Sequence, residues 1–411
     1  MKRVMVCLLV LVMMFITACG SNTGKVASGE ATPGKNTGSN AQTETAANSG
    51  STTDWAAENG ISDGSQTEKE LYEAAKKEGA LTVYSVSSRM QKVADAFMAD
   101  YPGINVTVYT NSEEATQKTI SEYKSGVYNC DVLHCKDVDG RIYMEYLSKG
   151  ILHAYVPKDI AAKIDDQQWL KYGMPVYVEL LQWFYSSKFY DKAPIDSWWD
   201  LTRPEWNGKV VIPDASSGGW DTILPHLVAL TQYNDELKDL YKEEFGEDIK
   251  YTCGVENPAY ELIYRIYKNN PVIVDNIDNT SEAVGAADVT EPKLGLSMSS
   301  KLRNNENKGW TLAPMTLKPT SGYAHTNYAY VVDKCPHPNA AMLFVRYLVG
   351  GTDGKAAGYS QWNTLGGWSV RNDIDSVEKT NLKDLMVAPT DMEYIYNEYS
   401  DCYDFILSLL K

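Results

Sequence analysis

Between Leu81 and Leu133 the sequence changes period repeatedly, and that alternation limits the folds open to this chain more than any other feature. Leu81 to Tyr84 is apolar and β-prone. Met90, Val93, Ala94, Phe97 and Met98 then recur at i, i+3, i+4, i+7 and i+8, one face of a helix. Tyr101-Pro102-Gly103 ends that helix, and Ile104 to Tyr109 reads as the next strand. A further helix over about 113–125 leads to a strand around Asp131-Val132-Leu133. Upstream, Thr67-Glu68-Lys69-Glu70 is a capping box that opens a helix, and Gly79 sits where it should stop. Repeated βα alternation predicts an α/β fold with a parallel sheet covered on both faces.

The middle of the chain differs. Val176 to Ser186 and Tyr323 to Val332 are extended stretches longer than one strand usually needs. Between them lie strands at Lys209–Pro213 and Pro271–Val274, and a helical pattern from about Trp220. The second long stretch precedes an apolar helix, Ala340 to Val349. Two such passages suggest a chain that crosses between two lobes and returns.

The N-terminus carries an address. Lys2 and Arg3 precede an apolar run, Val4 to Ile16, well short of the roughly 20 residues a spanning helix needs. The run ends in Ile16-Thr17-Ala18-Cys19-Gly20, which resembles a bacterial lipobox with Ile16 in place of the usual Leu. The expectation is a signal peptide over 1–18 and lipid on Cys19, with more than one acyl chain because a single chain anchors only marginally. From Gly20 to about Gln66 the residues are mostly Gly, Ser, Thr, Asn and Ala, with Trp55 the only aromatic. That composition reads as a disordered tether over 19–66.

About 345 residues remain, enough for two lobes. The formal net charge of −16 argues against nucleic acid as a partner. Beyond Cys7 in the leader and Cys19, five cysteines are left (Cys130, Cys135, Cys253, Cys335, Cys402). An odd number leaves at least one thiol free or paired with another chain, and buried thiols are the expected state.

Three blocks carry a family resemblance. Ala96-Phe97-Met98-Ala99-Asp100-Tyr101-Pro102-Gly103-Ile104-Asn105-Val106 resembles the segment opening lobe one in type II extracytoplasmic solute-binding proteins of ABC importers. Trp198-Trp199-Asp200-Leu201-Thr202-Arg203-Pro204-Glu205-Trp206-Asn207-Gly208-Lys209-Val210 resembles the block introducing lobe two. His337-Pro338-Asn339-Ala340-Ala341-Met342-Leu343-Phe344-Val345 resembles the helix after the return crossing. The ferric-iron and organophosphate branch is the most similar, over about 81–372 with an insertion near 234–258. The resemblance implies a two-lobed periplasmic-binding-protein-like fold on a two-strand hinge, with the ligand between the lobes. Lobe one is then expected over 67–180 with 323–375, and lobe two over 181–322 with 376–411. The implied partners are a small molecule, a permease and ATPase, and the membrane through the lipid; the chain is expected to act as a monomer with no cofactor.

In open α/β sheets ligands bind beyond the carboxyl ends of strands. After the first strand, Ser85, Ser87, Ser88 and Arg89 lead into a helix: hydroxyls and backbone N–H groups for an anion, and a guanidinium fork. The same hydroxyls also suit a helix cap. After the third strand come Lys136 and Asp137. Lobe two offers Ser216, Ser217, Gly218, Gly219, Trp220 and Asp221, again a small-residue loop before a helix. Asp275, Asn276 and Asp278 follow another strand and suit an ammonium group, hydroxyls or solvent. Trp183, Tyr185, Trp220, Tyr323 and Asn327 are candidates to stack on or bond to a ring, although aromatic residues are also core material.

The expected ligand is a polar organic solute, phosphorylated or carboxylated. Ferric iron is the alternative. Iron-binding relatives generally use paired tyrosines, and this sequence has no Tyr-Tyr pair; Tyr323, His325, Tyr328 and Tyr330 cluster but cannot all face one side of a strand. A sensory or adhesin lipoprotein would share the fold. A hydrolase is not expected: no His-Glu-x-x-His motif occurs, and no Gly-x-Ser-x-Gly elbow joins a strand to a helix.

Overall fold

The structure, a computed structural model, describes residues 54–111, 114–219, 221–388 and 390–411. The leader, Cys19 and Trp220 lie outside them. In chain order, α1 (Trp55–Glu58) and α2 (Glu68–Glu78) precede β1 (Ala80–Ser85), α3 (Met90–Asp100), β2 (Asn105–Thr110), α4 (Glu114–Lys124) and β3 (Val132–Lys136). A π-helix (Ile142–Leu147), β4 (Leu152–His153) and α5 (Lys158–Ala161) lead to β5 (Met174–Ser186) and then β6 (Val210–Pro213). Next come α6 (Leu224–Leu230), α7 (Asn234–Phe245), α8 (Pro258–Lys268), β7 (Val272–Val274), α9 (Ile277–Gly285) and β8 (Leu294–Met298). The chain finishes through α10 (Arg303–Lys308), β9 (Leu312–Pro314), β10 (Gly322–Val332), α11 (Pro338–Leu348), β11 (Val387–Ala388) and α12 (Met392–Leu409).

Local signals act as their chemistry dictates. The Thr67 hydroxyl accepts the Glu70 N–H at 3.2 Å, and the Glu70 carboxylate accepts the Thr67 N–H at 2.9 Å. Gly79 ends α2 at φ 71°, where a side chain would be strained. Residues 54–66 depart from the tether reading. Ala56 and Ile61 are buried, and the Trp55 ring lies 5.7 Å from that of His153. A few apolar side chains suffice to dock this stretch, which average composition conceals.

The main path of the sheet runs β2-β1-β3-β10-β5-β8-β6-β7. β10 is antiparallel to both β3 and β5, while β1 and β3, like β6 and β8, are parallel. Helices α3, α4 and α11 pack on the first half of this sheet, and α9 packs on the second. Every residue of β5 and β10 is buried. These are the two long stretches of the sequence, and they lie side by side at the junction of the halves.

Register brings the strand ends together. Lys136, ending β3, pairs with Asn327, which pairs across to Tyr177 on β5; Met298, ending β8, pairs with Leu181 on the same strand. The two ends point toward each other over four residues of β5, about 13 Å at a strand's rise per residue. Loops leaving the carboxyl ends of both halves therefore meet over the middle of β5.

α12 touches both halves. Tyr396 donates to Glu145 of the π-helix at 2.9 Å, whereas Tyr399 and Tyr403 donate to the carbonyls of Gly218 and Ser216 at 3.1 and 2.6 Å. Sequence reading expects this tail in lobe two; its tyrosines reach the π-helix as well as the 216–218 loop.

Candidate functional site

The floor of the site is made by the paired long strands. Tyr177 and Glu179 on β5 stand opposite Asn327 and His325 on β10, and successive odd positions share one face. A carboxylate here needs a partner, and Lys136 supplies it: its Nζ lies 2.8 Å from Glu179. Burial alone would raise the Glu179 pKa, but the Lys136 charge and hydrogen bonds from Lys136 and Ser300 outweigh it and hold the pKa down at about 2.

Arg89 forms one wall. It sits at the start of α3, where no side chain caps the helix. One guanidinium nitrogen donates to the Gln361 carbonyl at 2.8 Å, and another to the Tyr177 hydroxyl at 3.2 Å. Its central carbon lies 4.5 Å over the Trp362 ring, which stacks on Tyr177 with centroids 5.0 Å apart. Behind it, burial and then the charges of Arg89 and Lys136 depress the His134 pKa to about 3, so the imidazole is neutral. Its Nδ1 meets the Ser85 hydroxyl at 2.9 Å.

The facing wall follows β8. Ser299 accepts the Leu180 N–H at 2.8 Å and donates to the Gly366 carbonyl at 2.5 Å, which seats the loop on β5. Lys301, also buried, pairs with Asp278 at 2.6 Å. Arg303 is half-buried, donates to the Ser300 carbonyl, and has its pKa lowered by burial and then by the charge of Arg89. Four cations thus converge with two carboxylates, both already paired. Neither Arg89 nor Arg303 has a carboxylate partner among the described residues.

Sequence reading named Arg89, Lys136, Asp278 and Asn327, which the structure brings into this neighbourhood. Others are occupied elsewhere. The Ser85 hydroxyl takes the Ser87 N–H at 3.0 Å, so part of the expected anion cradle is closed on itself, and Ser88 is exposed. Asp137 turns inward and accepts the N–H groups of Ile142 and Tyr143 at 3.2 and 2.8 Å. Burial pushes its pKa up to about 7. Trp183 packs edge-on against Trp198 in the core, Tyr185 lies further along β5, and the Tyr323 hydroxyl reaches the Val138 carbonyl at 3.5 Å. Asn276 caps α9 through the N–H groups of Asp278 and Asn279, and Asp275 is exposed.

The 216–219 loop also differs from expectation. Ser216 bonds to Asp214 and Gly219 to Ser217, while Asp221 is half-buried. α6 begins only at Leu224, so this loop does not open directly onto a helix N-terminus.

Sequence reasoning missed Tyr177, Glu179, Lys301, Arg303 and Trp362 as site residues. The signal for two of them was present: Ser299-Ser300-Lys301-Leu302-Arg303 follows a strand much as Ser87-Ser88-Arg89 does. Surface hollows of about 450 and 740 Å³ lie elsewhere, beside α12 and beside α2. Neither is lined by the convergent cations, which mark the site more strongly than concavity.

The sequence pattern of the bacterial extracellular solute-binding proteins matches residues 81–357, two thirds of the chain. The chain belongs to this family. It is a solute-binding protein of the kind that serves ABC importers, with the two-lobed type II fold. Iron-bound HitA from Pseudomonas aeruginosa is similar in structure, with a TM-score of 0.59 and 18% identity over 80% of this chain and 99% of that one. AfuA from Actinobacillus pleuropneumoniae, bound to fructose-6-phosphate, gives 0.55 and 16% over 80% and 98%. MotA from A. tumefaciens, in complex with glucopine, gives 0.52 and 14% over 80% and 99%. No curated protein matches the chain.

Proposed function

We propose that this solute-binding protein captures a small anionic organic solute between its lobes and presents it to a permease. Charge carries that reading. Arg89, Lys136, Lys301 and Arg303 converge inside a protein of net charge −16. A cationic recess in an acidic exterior focuses the field on one place, and its N–H groups suit carboxylate or phosphate. Two neutral groups add to the fit: the Asn327 Oδ1 and Trp362 Nε1 atoms are buried with no partner among the described residues, an acceptor and a donor for a hydroxyl-bearing ligand. An anion between Arg89 and Arg303 offsets their repulsion, so it favours the closed arrangement.

In this reading one lobe comprises 67–180 with 323–375 and the other 181–322 with 376–411, and α12 in the latter also reaches the π-helix of the former. The protein acts as a binder rather than an enzyme, as a monomer, held at the outer face of the cytoplasmic membrane by lipid on Cys19. HitA provides precedent for iron, but two features favour the anion here. Four cations repel a bare trivalent ion, and two of the clustered tyrosine hydroxyls are directed to backbone carbonyls, Tyr323 to Val138 at 3.5 Å and Tyr330 to Tyr172 at 2.9 Å.

Melting-temperature shifts distinguish the classes. Phosphate esters or organic carboxylates should raise the melting temperature, and ferric ion or polyamines should not. A ferric or polyamine shift without an anion shift would sink the proposal.

A further inference from the structure

α12 grips both halves of the molecule, and its two grips differ. At the amino end, the Met392 N–H donates to the hydroxyl of Tyr172, just before β5, at 3.1 Å, and Tyr396 donates to Glu145 of the π-helix at 2.9 Å. The approach is close. Gly140 has φ 72°, and a Cβ there would lie 2.2 Å from the Met392 carbonyl oxygen and 2.8 Å from the Tyr396 Cβ. The rest of the helix belongs to the second half. Tyr394 meets the Thr231 hydroxyl at 2.8 Å, Tyr399 and Tyr403 donate to the 216–218 loop, and Cys402, Phe405 and Ile406 are buried. Asp139 and Arg141 on one side and Asp221 on the other all act on the Tyr399 hydroxyl, so the helix stands between the loops that leave β3 and β6.

A helix cannot stretch. Tyr396 and Tyr403 are seven residues apart, held about 10 Å from each other along the axis. The loops they touch follow the carboxyl ends of strands in opposite halves, and those ends separate when the walls of the cleft part. One grip therefore has to let go. The amino-end grip is the smaller, two hydrogen bonds and one close approach against a row of buried side chains. Its Glu145 partner also stands on a π-helix, a rare form found mostly at functional sites.

We infer that α12 is a latch that travels with the second half and clips its amino end to Tyr172 and the π-helix only when the cleft is closed, a role that rests on the closure implied by solute capture and not on the charge of the solute. The latch biases the open–closed balance before any solute arrives. By holding the walls together it also slows the escape of a captured one.

Double electron–electron resonance on the full chain tests the latch without a ligand. Spin labels at Lys92→Cys on α3 and Asp239→Cys on α7, both exposed positions, report the separation of the halves. Cys7→Ser, Cys19→Ser and Cys253→Ser leave only buried thiols besides the labelled ones. The otherwise native protein should show mainly one short separation. Tyr396→Phe, which loses only the hydroxyl, and Glu145→Ala, which loses its acceptor, should each move the closed-to-open ratio about tenfold toward a second, longer separation. Tyr394→Phe cuts a bond of the same helix inside the second half and should leave the distribution unchanged. Equal distributions with and without the Tyr396 hydroxyl, an otherwise native protein already dominated by the longer separation, or the same shift from Tyr394→Phe would each overturn the latch. All three outcomes leave anion capture standing, because the melting screen decides it separately.

Discussion

Arg89 owes its position to groups that carry no charge. The Trp362 ring beneath it, the Tyr177 hydroxyl and the Gln361 carbonyl leave its positive charge available to a ligand. Replacing it with alanine should weaken an anionic solute by about 1.5–3 kcal/mol, the range for hydrogen bonds to charged groups. Calorimetry with the tightest-binding anion of the melting screen measures this, and unchanged affinity would remove Arg89 from the site. Asp137 makes a contrasting prediction about stability. Its carboxyl is raised from 3.8 to about 7 by burial, so the folded state holds a proton that the unfolded chain releases. That stabilisation is complete below pH 4 and disappears as pH rises through 7. In Asp137→Asn, which cannot ionise, the fall in melting temperature across that interval should be shallower than in the native protein. Parallel curves for the two proteins would show that Asp137 does not titrate as argued.

Which elements form was legible, because period and punctuation are local. The α2 capping box, the apolar face of α3 and the extended character of β5 and β10 all follow from neighbouring residues. What joins them was not. The segment after α11 has no period to read, yet it supplies Gln361 and Trp362 to the site and hydrogen-bonds to β5: Trp368 and Val178 exchange N–H and carbonyl bonds, both at 2.9 Å. Glu179 was hidden for the complementary reason, since in a strand buried throughout it interrupts the apolar run without marking a face. The 366–368 segment offers its own prediction. Gly366 has φ 70°, and a Cβ there would run into the Ser299 carbonyl. Gly366→Ala should therefore destabilise the protein by about 1–3 kcal/mol through backbone strain and displacement of this seam. Denaturant unfolding reports the loss; native stability in the variant would mean that the seam relaxes freely.

At the scale of the molecule, the sheet is continuous through β5 and β10, so the closure proposed above has to bend or twist these strands rather than slide one half past the other. α12 adds a second link, with Tyr396 on Glu145 of the π-helix and Tyr399 and Tyr403 on the 216–218 loop. All of these contacts lie in the body beginning at α1, and among the described residues no helix is long and apolar enough to cross a membrane. We propose that membrane attachment depends on chemistry at Cys19, in a separate part of the sequence from the binding residues. The two functions should separate cleanly. In Cys19→Ser the acyl acceptor is gone, and the protein should move from the membrane fraction to the soluble extracytoplasmic fraction. Its affinity for the anion that the native protein binds should not change. Fractionation with mass spectrometry of the N-terminal peptide checks the first part, and calorimetry the second. A Cys19→Ser protein that still sediments with membranes would place the anchor elsewhere, while lost affinity would tie the N-terminus to the cleft.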